Sequence, residues 1–305
     1  MLTCDEYHMP TTLSAALALL QAAPDGSRLV AGATDILPWA REGRAGNVNL
    51  PAMIDLSRID ELQGYDIVDG RVHLGASIVY QQFLTDQVLR QHLPGMPYCS
   101  IWFADDQIRE QATLAGNLVN ASPAADGTPP MLAHNAELEI ARLEGADVKR
   151  RKIALADFVK GPGKTDLGRH EIVASIICDS LTGYGGSFQK VGQRRSLVIS
   201  SVCAAACIKM DKAGEVVEDI RLALGGVGPV PMRLDDIETM LRGERLTAEL
   251  VSQASAKPAE RVASRTRREY RRTVVKGFIE AAIHEALIDC GARLPGSAER
   301  ENAHV

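Results

Sequence analysis

Leu13, Ala16, Leu17 and Leu20 fall on one helical stripe, with Thr11 or Thr12 placed to cap it and Pro24-Asp25-Gly26 to end it. A short buried strand is predicted over residues 28–31, then a tight turn at 32–34, a short helix over 35–44 and a second strand over 52–56. This strand–turn–helix–strand order describes a small βαβ-like unit whose turn feeds a helix N-terminus, a natural seat for phosphate oxygens. Residues 67–68 and 72–76, around Asp69-Gly70-Arg71, predict a hairpin. Helical stretches are expected over 77–85, 87–92 and 96–105, with a further short helix over 129–134. A second hairpin is expected from 136–142 and 148–153, then a helical turn at 155–160, a Gly/Pro loop at 161–165 and a strand at 171–178.

The pattern changes after Cys178. Tyr184-Gly185-Gly186 reads as a linker, and residues 200–210 as a strand of alternating small apolar side chains that turns back at 211–214 into 217–224. Three helices, over 234–242, 247–257 and 270–290, close the chain. In the last of them Val274, Val275, Phe278, Ile279, Ala282, Ile283, Ala286 and Leu287 make a wide apolar stripe. The tail after Pro295 carries no such pattern and reads as disordered.

Two stretches are too small-sided to build core by bulk. Residues 102–126 are dense in alanine, glycine and serine, and Val30-Ala31-Gly32-Ala33-Thr34-Asp35 has the same character directly after a strand. Small side chains let a ligand approach the backbone, and glycine tolerates the positive φ that such contacts need. Two such loops point to backbone N–H groups wrapped around an extended phosphorylated ligand.

Composition narrows the class without naming a chemistry. The chain has 305 residues, 46% of them hydrophobic, enough for two or three modest cores. A net charge of −5 gives no electrostatic reason to expect nucleic acid. The basic run Lys149-Arg150-Arg151-Lys152 lies between alternating segments and reads as a solvated strand edge. No apolar run is long enough to span a bilayer, and Asp5 and Glu6 stand where a signal peptide would be basic, so a cytoplasmic location is expected. Six scattered cysteines without a CxxC pair read as small buried hydrophobes, and no histidine spacing suggests a metal held by this chain. Gly163-Lys164-Thr165 imitates the end of a P-loop, but Phe158 stands where the first glycine belongs. Gly225-Gly226-Val227-Gly228 runs into Pro229 and reads as a strand-end loop, not a dinucleotide fingerprint.

Five segments carry a resemblance in order and spacing: Leu29 to Ile36 (LVAGATDI); Phe103 with Gln107-Ile108-Arg109; Thr113-Leu114-Ala115-Gly116-Asn117; Ala121-Ser122-Pro123 with Asp126; and Lys190-Val191-Gly192-Gln193-Arg194-Arg195. Together they resemble the FAD-binding (medium) subunits of molybdenum hydroxylases of the xanthine dehydrogenase and carbon monoxide dehydrogenase type. The similarity runs from about Tyr7 to Leu287. It implies an α+β chain: a two-subdomain FAD-binding fold of the PCMH/VAO-like kind (residues 1–57 and 58–180), an α+β C-terminal domain with an antiparallel sheet and helices (184–292), and a tail (293–305). The two subdomains would hold FAD between them, and the third domain would cover the flavin.

By the same resemblance Leu29, Val30, Ala31, Gly32, Ala33, Thr34, Asp35 and Ile36 would wrap the FAD pyrophosphate. Thr113, Leu114, Ala115, Gly116 and Asn117 would form the second phosphate and ribityl loop. Phe103 would pack on the flavin, Asp126 would hydrogen-bond the cofactor, Val173 would lie against the isoalloxazine, and Lys190 would stand near the ring and tune its potential. No side chain of this chain would be catalytic, because the flavin carries the redox chemistry. Electrons would arrive from a [2Fe-2S] small subunit, after hydroxylation of a purine or other N-heterocycle on a molybdopterin large subunit, and leave to NAD, a quinone, oxygen or a carrier. A carbon monoxide dehydrogenase-type or aldehyde-oxidising complex is the alternative within the same chemistry, and a module that has lost FAD is the alternative outside it.

Three departures from the family pattern stand out. Ala33 and Ala115 occupy positions where the family prefers glycine, and a methyl is tolerable there where φ stays negative. Ser196-Leu197-Val198 and Pro162 replace the acidic run and tyrosine of eukaryotic-type xanthine dehydrogenases, which argues against NAD as acceptor.

Overall fold

The computed structural model describes residues 1–41, 48–194, 197–264 and 266–294. Along the chain run β1 (Leu2–His8), α1 (Leu13–Ala22), β2 (Arg28–Val30), α2 (Ile36–Arg41), β3 (Val48–Asp55), β4 (Tyr65–Val68) and β5 (Arg71–Gly75). Six short helices follow: α3 (Gln82–Thr85), α4 (Gln87–His92), α5 (Gly95–Trp102), α6 (Asp106–Arg109), α7 (Leu114–Asn120) and α8 (Thr128–Ala133). Next come β6 (Glu137–Glu144), β7 (Asp147–Ala154), α9 (Leu155–Phe158), β8 (Val159–Gly161), β9 (Lys164–Thr165) and β10 (Glu171–Asp179). The last part holds β11 (Gly185–Val191), β12 (Val202–Met210), β13 (Val217–Gly225), β14 (Met232–Arg233), α10 (Asp235–Leu241), α11 (Ala248–Ala256) and α12 (Arg268–Asp289). These elements form two compact units interleaved in sequence. Met1–Thr85, Ala104–Ala121 and Asn135–Asp179 make the first; Asp86–Phe103, Ser122–His134 and Ser180–Val305 make the second.

The first unit contains two sheets. One is a three-stranded parallel sheet in the order β1-β3-β2, with Val30, Val48, Leu50 and Met53 in its core. The predicted βαβ unit is present as β2-α2-β3, and ahead of it Thr12 caps α1, its Oγ1 accepting the Ala15 N–H. Strand β1 was not legible: most of its side chains are exposed, so its residues show no apolar alternation. Residues 42–44 of the expected second helix lie outside the described residues. The other sheet is five-stranded and antiparallel, in the order β4-β5-β10-β6-β7, with the largely buried β10 at its centre. The β4–β5 hairpin turns on Asp69 (φ 51°) and Gly70 (φ 75°), both left-handed as the Asp-Gly signal requires. The basic run lies on β7, which edges the sheet as expected.

The helix expected over 77–85 shrinks to α3. Its first half is extended, because its backbone has partners elsewhere: Tyr80 N–H donates to Ala112 O at 3.1 Å, and Ile78 O accepts from Leu114 N–H at 2.9 Å. The β-branched Ile78 and Val79 suit that conformation.

The second unit is built on an antiparallel sheet in the order β11-β12-β13-β14. Buried Val275, Ile279, Ala282, Ile283 and Leu287 of α12 share a core with Val202, Ala204, Ala206 and Ile208 of β12. The predicted stripe therefore faces the sheet. The linker reading of Tyr184-Gly185-Gly186 fails, because both glycines open β11. A Cβ on Gly186 would overlap the Pro94–Gly95 peptide, so glycine here serves close packing, not flexibility.

Candidate functional site

The first small-residue loop leaves β2 where Val30 O accepts the Leu56 N–H at 2.8 Å. A Cβ on Gly32 would overlap the Gln111 carbonyl, so this loop lies directly against the chain that enters the second small-residue stretch. Ala33 is left-handed (φ 52°), a conformation that costs an L-residue roughly 1–2 kcal/mol. The condition that φ stay negative at Ala33 is thus not met, and the methyl is accommodated under strain. Among the described residues, the backbone N–H groups of Gly32, Ala33, Thr34 and Asp35 have no protein acceptor. Four successive donors without partners suit a ligand that brings several oxygens of its own.

The second stretch is more regular than its composition suggests, because Leu114 to Asn117 open helix α7. Thr113 is the N-cap, its Oγ1 accepting the Gly116 N–H at 3.1 Å. The Leu114 N–H is taken by Ile78 O, while the Ala115 N–H has no acceptor among the described residues. Ala115 is helical and buried, so its methyl meets the condition that Ala33 violates. Asn117 Oδ1 accepts from Tyr80 Oη at 3.0 Å, which fixes the amide. Arg109 is buried, with its Nε donating to Gln81 Oε1 at 3.3 Å and its guanidinium paired with Asp106. Val173 is buried on β10 beside a bulge in its pairing with β6.

Phe103, Asp126 and Lys190 belong to the second unit. Phe103 caps the C-terminus of α5, its N–H donating to Ser100 O at 3.1 Å. Lys190 donates to Asp126 Oδ2 at 2.6 Å and to Trp102 O at 3.2 Å; its side chain is 3% exposed and that of Asp126 is 7%. Asp126 Oδ1 accepts from Ser200 Oγ at 2.6 Å. Burial pushes the Asp126 carboxyl above the usual range, against the pull of the Lys190 ammonium and the Ser200 hydroxyl. Both oxygens of Asp126 therefore serve Lys190 and Ser200. Beside the pair, Trp102, Lys190, Val191, Gly192, Arg194 and Val198 line a cavity of about 190 Å³. Sequence reasoning missed Ser200, which it placed as the first residue of the strand expected over 200–210. Gly163 and Gly226 are left-handed turn residues.

Residues 3–178 match the family model described as the FAD binding domain in molybdopterin dehydrogenase, and residues 187–286 match the CO dehydrogenase flavoprotein C-terminal domain. The chain belongs to this family of FAD-binding subunits. It is 28% identical to the xanthine dehydrogenase FAD-binding subunit of Escherichia coli O157:H7, covering 94% of this chain and 98% of that one. It is 29% identical to the glyceraldehyde dehydrogenase medium chain of Sulfolobus acidocaldarius, over 92% of this chain and 97% of its relative. Among solved structures, carbon monoxide dehydrogenase from Hydrogenophaga pseudoflava has the same fold, with a TM-score of 0.85 at 24% identity over 93% of this chain and 98% of that chain. The chain is an oxidoreductase subunit, and FAD is its cofactor.

The residues present fit that cofactor. A pyrophosphate would be satisfied by the N–H run of Gly32 to Asp35 and by the Ala115 N–H at the start of α7, none of which has an acceptor among the described residues, without any cationic side chain. No helix among the described residues is long and apolar enough to cross a membrane.

Proposed function

We propose that this chain is the FAD-bearing electron-transfer subunit of a cytoplasmic molybdenum hydroxylase complex, working beside a molybdopterin large subunit and a [2Fe-2S] small subunit. The observation that carries the site assignment is the run of four N–H groups from Gly32 to Asp35 that have no partner among the described residues, in a loop held against residue 111. In this reading the loop Leu29 to Ile36 binds the pyrophosphate, and Thr113 to Asn117 binds phosphate and ribityl. Phe103 and Val173 contact the flavin, and Lys190, oriented by Asp126, supplies a fixed positive charge for it. The bound flavin supplies the redox chemistry; this chain binds it, orients it and sets its electrostatic surroundings.

Purines or other N-heterocycles are the proposed substrate class of the complex. The xanthine dehydrogenase relative supports that class, and the Gly161-Pro162-Gly163-Lys164 loop resembles that of purine-hydroxylating bacterial subunits. An acceptor other than NAD is proposed, because Leu197 (47% exposed) and Val198 stand in the segment that is acidic in eukaryotic-type xanthine dehydrogenases. Co-production with both partner subunits tests the reading. A purine should bleach the flavin band of the purified complex without stoichiometric NADH formation. Bleaching by an aldehyde or carbon monoxide and not by any N-heterocycle would replace the substrate class, and a complex assembled without FAD would overturn the assignment.

A further inference from the structure

The Lys190–Asp126 pair sits inside a set of hydrogen bonds drawn from five separate stretches of the second unit. Ser200 Oγ donates to Asp126 Oδ1 at 2.6 Å. The next residue, Ser201, donates its N–H to Val191 O at 2.7 Å, beside Lys190. Gly226 N–H donates to Pro123 O at 2.8 Å, three residues before Asp126. One guanidinium joins these segments: Arg271 Nη1, in the first turn of α12, donates to Gly226 O at 2.6 Å and also to Ser201 O. Gly226 is left-handed (φ 77°), and a Cβ there would press on Ser201 O at 2.6 Å, so the two carbonyls converge on the arginine.

We infer that Ser200 and Arg271 are positioning residues that hold the Lys190 ammonium in place, Ser200 by fixing the Asp126 carboxylate and Arg271 by clamping the two backbone segments that carry the pair. Neither touches the cofactor in this scheme. The consequence for the flavin rests on the proposed role of Lys190, whereas the cage itself rests only on the bonds above. Physically, a lysine chain has considerable rotamer entropy to lose, and a buried ammonium stays in one place only if its acceptor is itself immobile. Asp126 has one oxygen for Lys190 and one for Ser200, so losing the hydroxyl frees the carboxylate to rotate and leaves a buried lone pair unmet.

Amine acylation followed by mass spectrometry reads the cage in the full chain, with or without FAD. In Ser200→Ala and Arg271→Gln, Lys190 should be labelled about tenfold faster or more, the factor expected for losing a hydrogen bond to a charged group. The exposed Lys212 should be labelled at the wild-type rate in both, which separates a local release from general loosening. Ser200→Thr and Arg271→Lys should restore slow labelling. In the flavin-loaded complex, Ser200→Ala should shift the flavin midpoint potential while FAD content stays unchanged, and Ser200→Thr should return it. Wild-type labelling of Lys190 in Ser200→Ala would overturn the inference, as would a threonine variant that behaves like the alanine one. A chain that binds no FAD yet shows the labelling pattern would sink the flavin role and leave the cage standing.

Discussion

The two regions assigned to the cofactor solve opposite problems with opposite means. In the first unit, residues 30–35 and 113–117 would offer an anion almost nothing but backbone: N–H groups without an acceptor among the described residues, a helix start and small side chains. In the second, Asp126 and Lys190 bury a full ion pair under a serine hydroxyl. Backbone donors cannot titrate or swing away, so they suit a ligand whose charge never changes. A buried charge pair is costly to assemble and sensitive to its geometry, so it suits a place where charge on the ligand changes during turnover. The loops accordingly tolerate side-chain changes that leave the backbone in place, and the pair tolerates none that leaves a charge alone.

Asp126→Ala should be the most damaging single change, about 3–5 kcal/mol in chemical denaturation, because Lys190 is left buried without its counter-charge. Replacing both members by neutral residues should cost less than this single change. Gly32→Ala should come next. Its methyl must push the two loops of the first unit apart, at about 2–3 kcal/mol, or on the order of 100-fold in FAD affinity by equilibrium dialysis. Thr113→Ala removes the cap of α7 and should lower thermal stability by about 1 kcal/mol, with weaker FAD retention. The finest contrast is between the two alanines. Ala33→Gly relieves a left-handed backbone and should stabilise by about 0.5–1 kcal/mol, whereas Ala115→Gly loosens a helical turn and should destabilise by a similar amount. Equal signs in a thermal-shift comparison would mean that the backbone at one of these positions is misassigned.

Legibility followed the range of the forces involved. The α12 stripe, the Asp69-Gly70 hairpin and the cap at Thr12 rest on local periodicity, and all three stand as expected. Strand β1 pairs through its backbone and buries little, so its side chains carry no signal. Gly185 and Gly186 look like a linker because a glycine required by close packing and one required by flexibility are the same letter. At the site, the loops stood out by their small residues, but α7 did not, since its helix depends on a capping threonine and a distant carbonyl more than on an apolar face. Ser200 and Arg271 were out of reach for another reason: their partners lie 45 to 74 residues away, and no local pattern records such bonds.

The central claim is that a backbone cradle around Gly32 holds the FAD. It is tested most directly by measuring FAD released on denaturation from the purified wild-type chain and its Gly32→Ala variant, each co-produced with the partner subunits. The account predicts a yellow wild-type protein with FAD stoichiometric to the chain and a variant that folds but has lost most of it. A colourless wild type, or a Gly32→Ala variant that keeps its full complement of FAD, would contradict it.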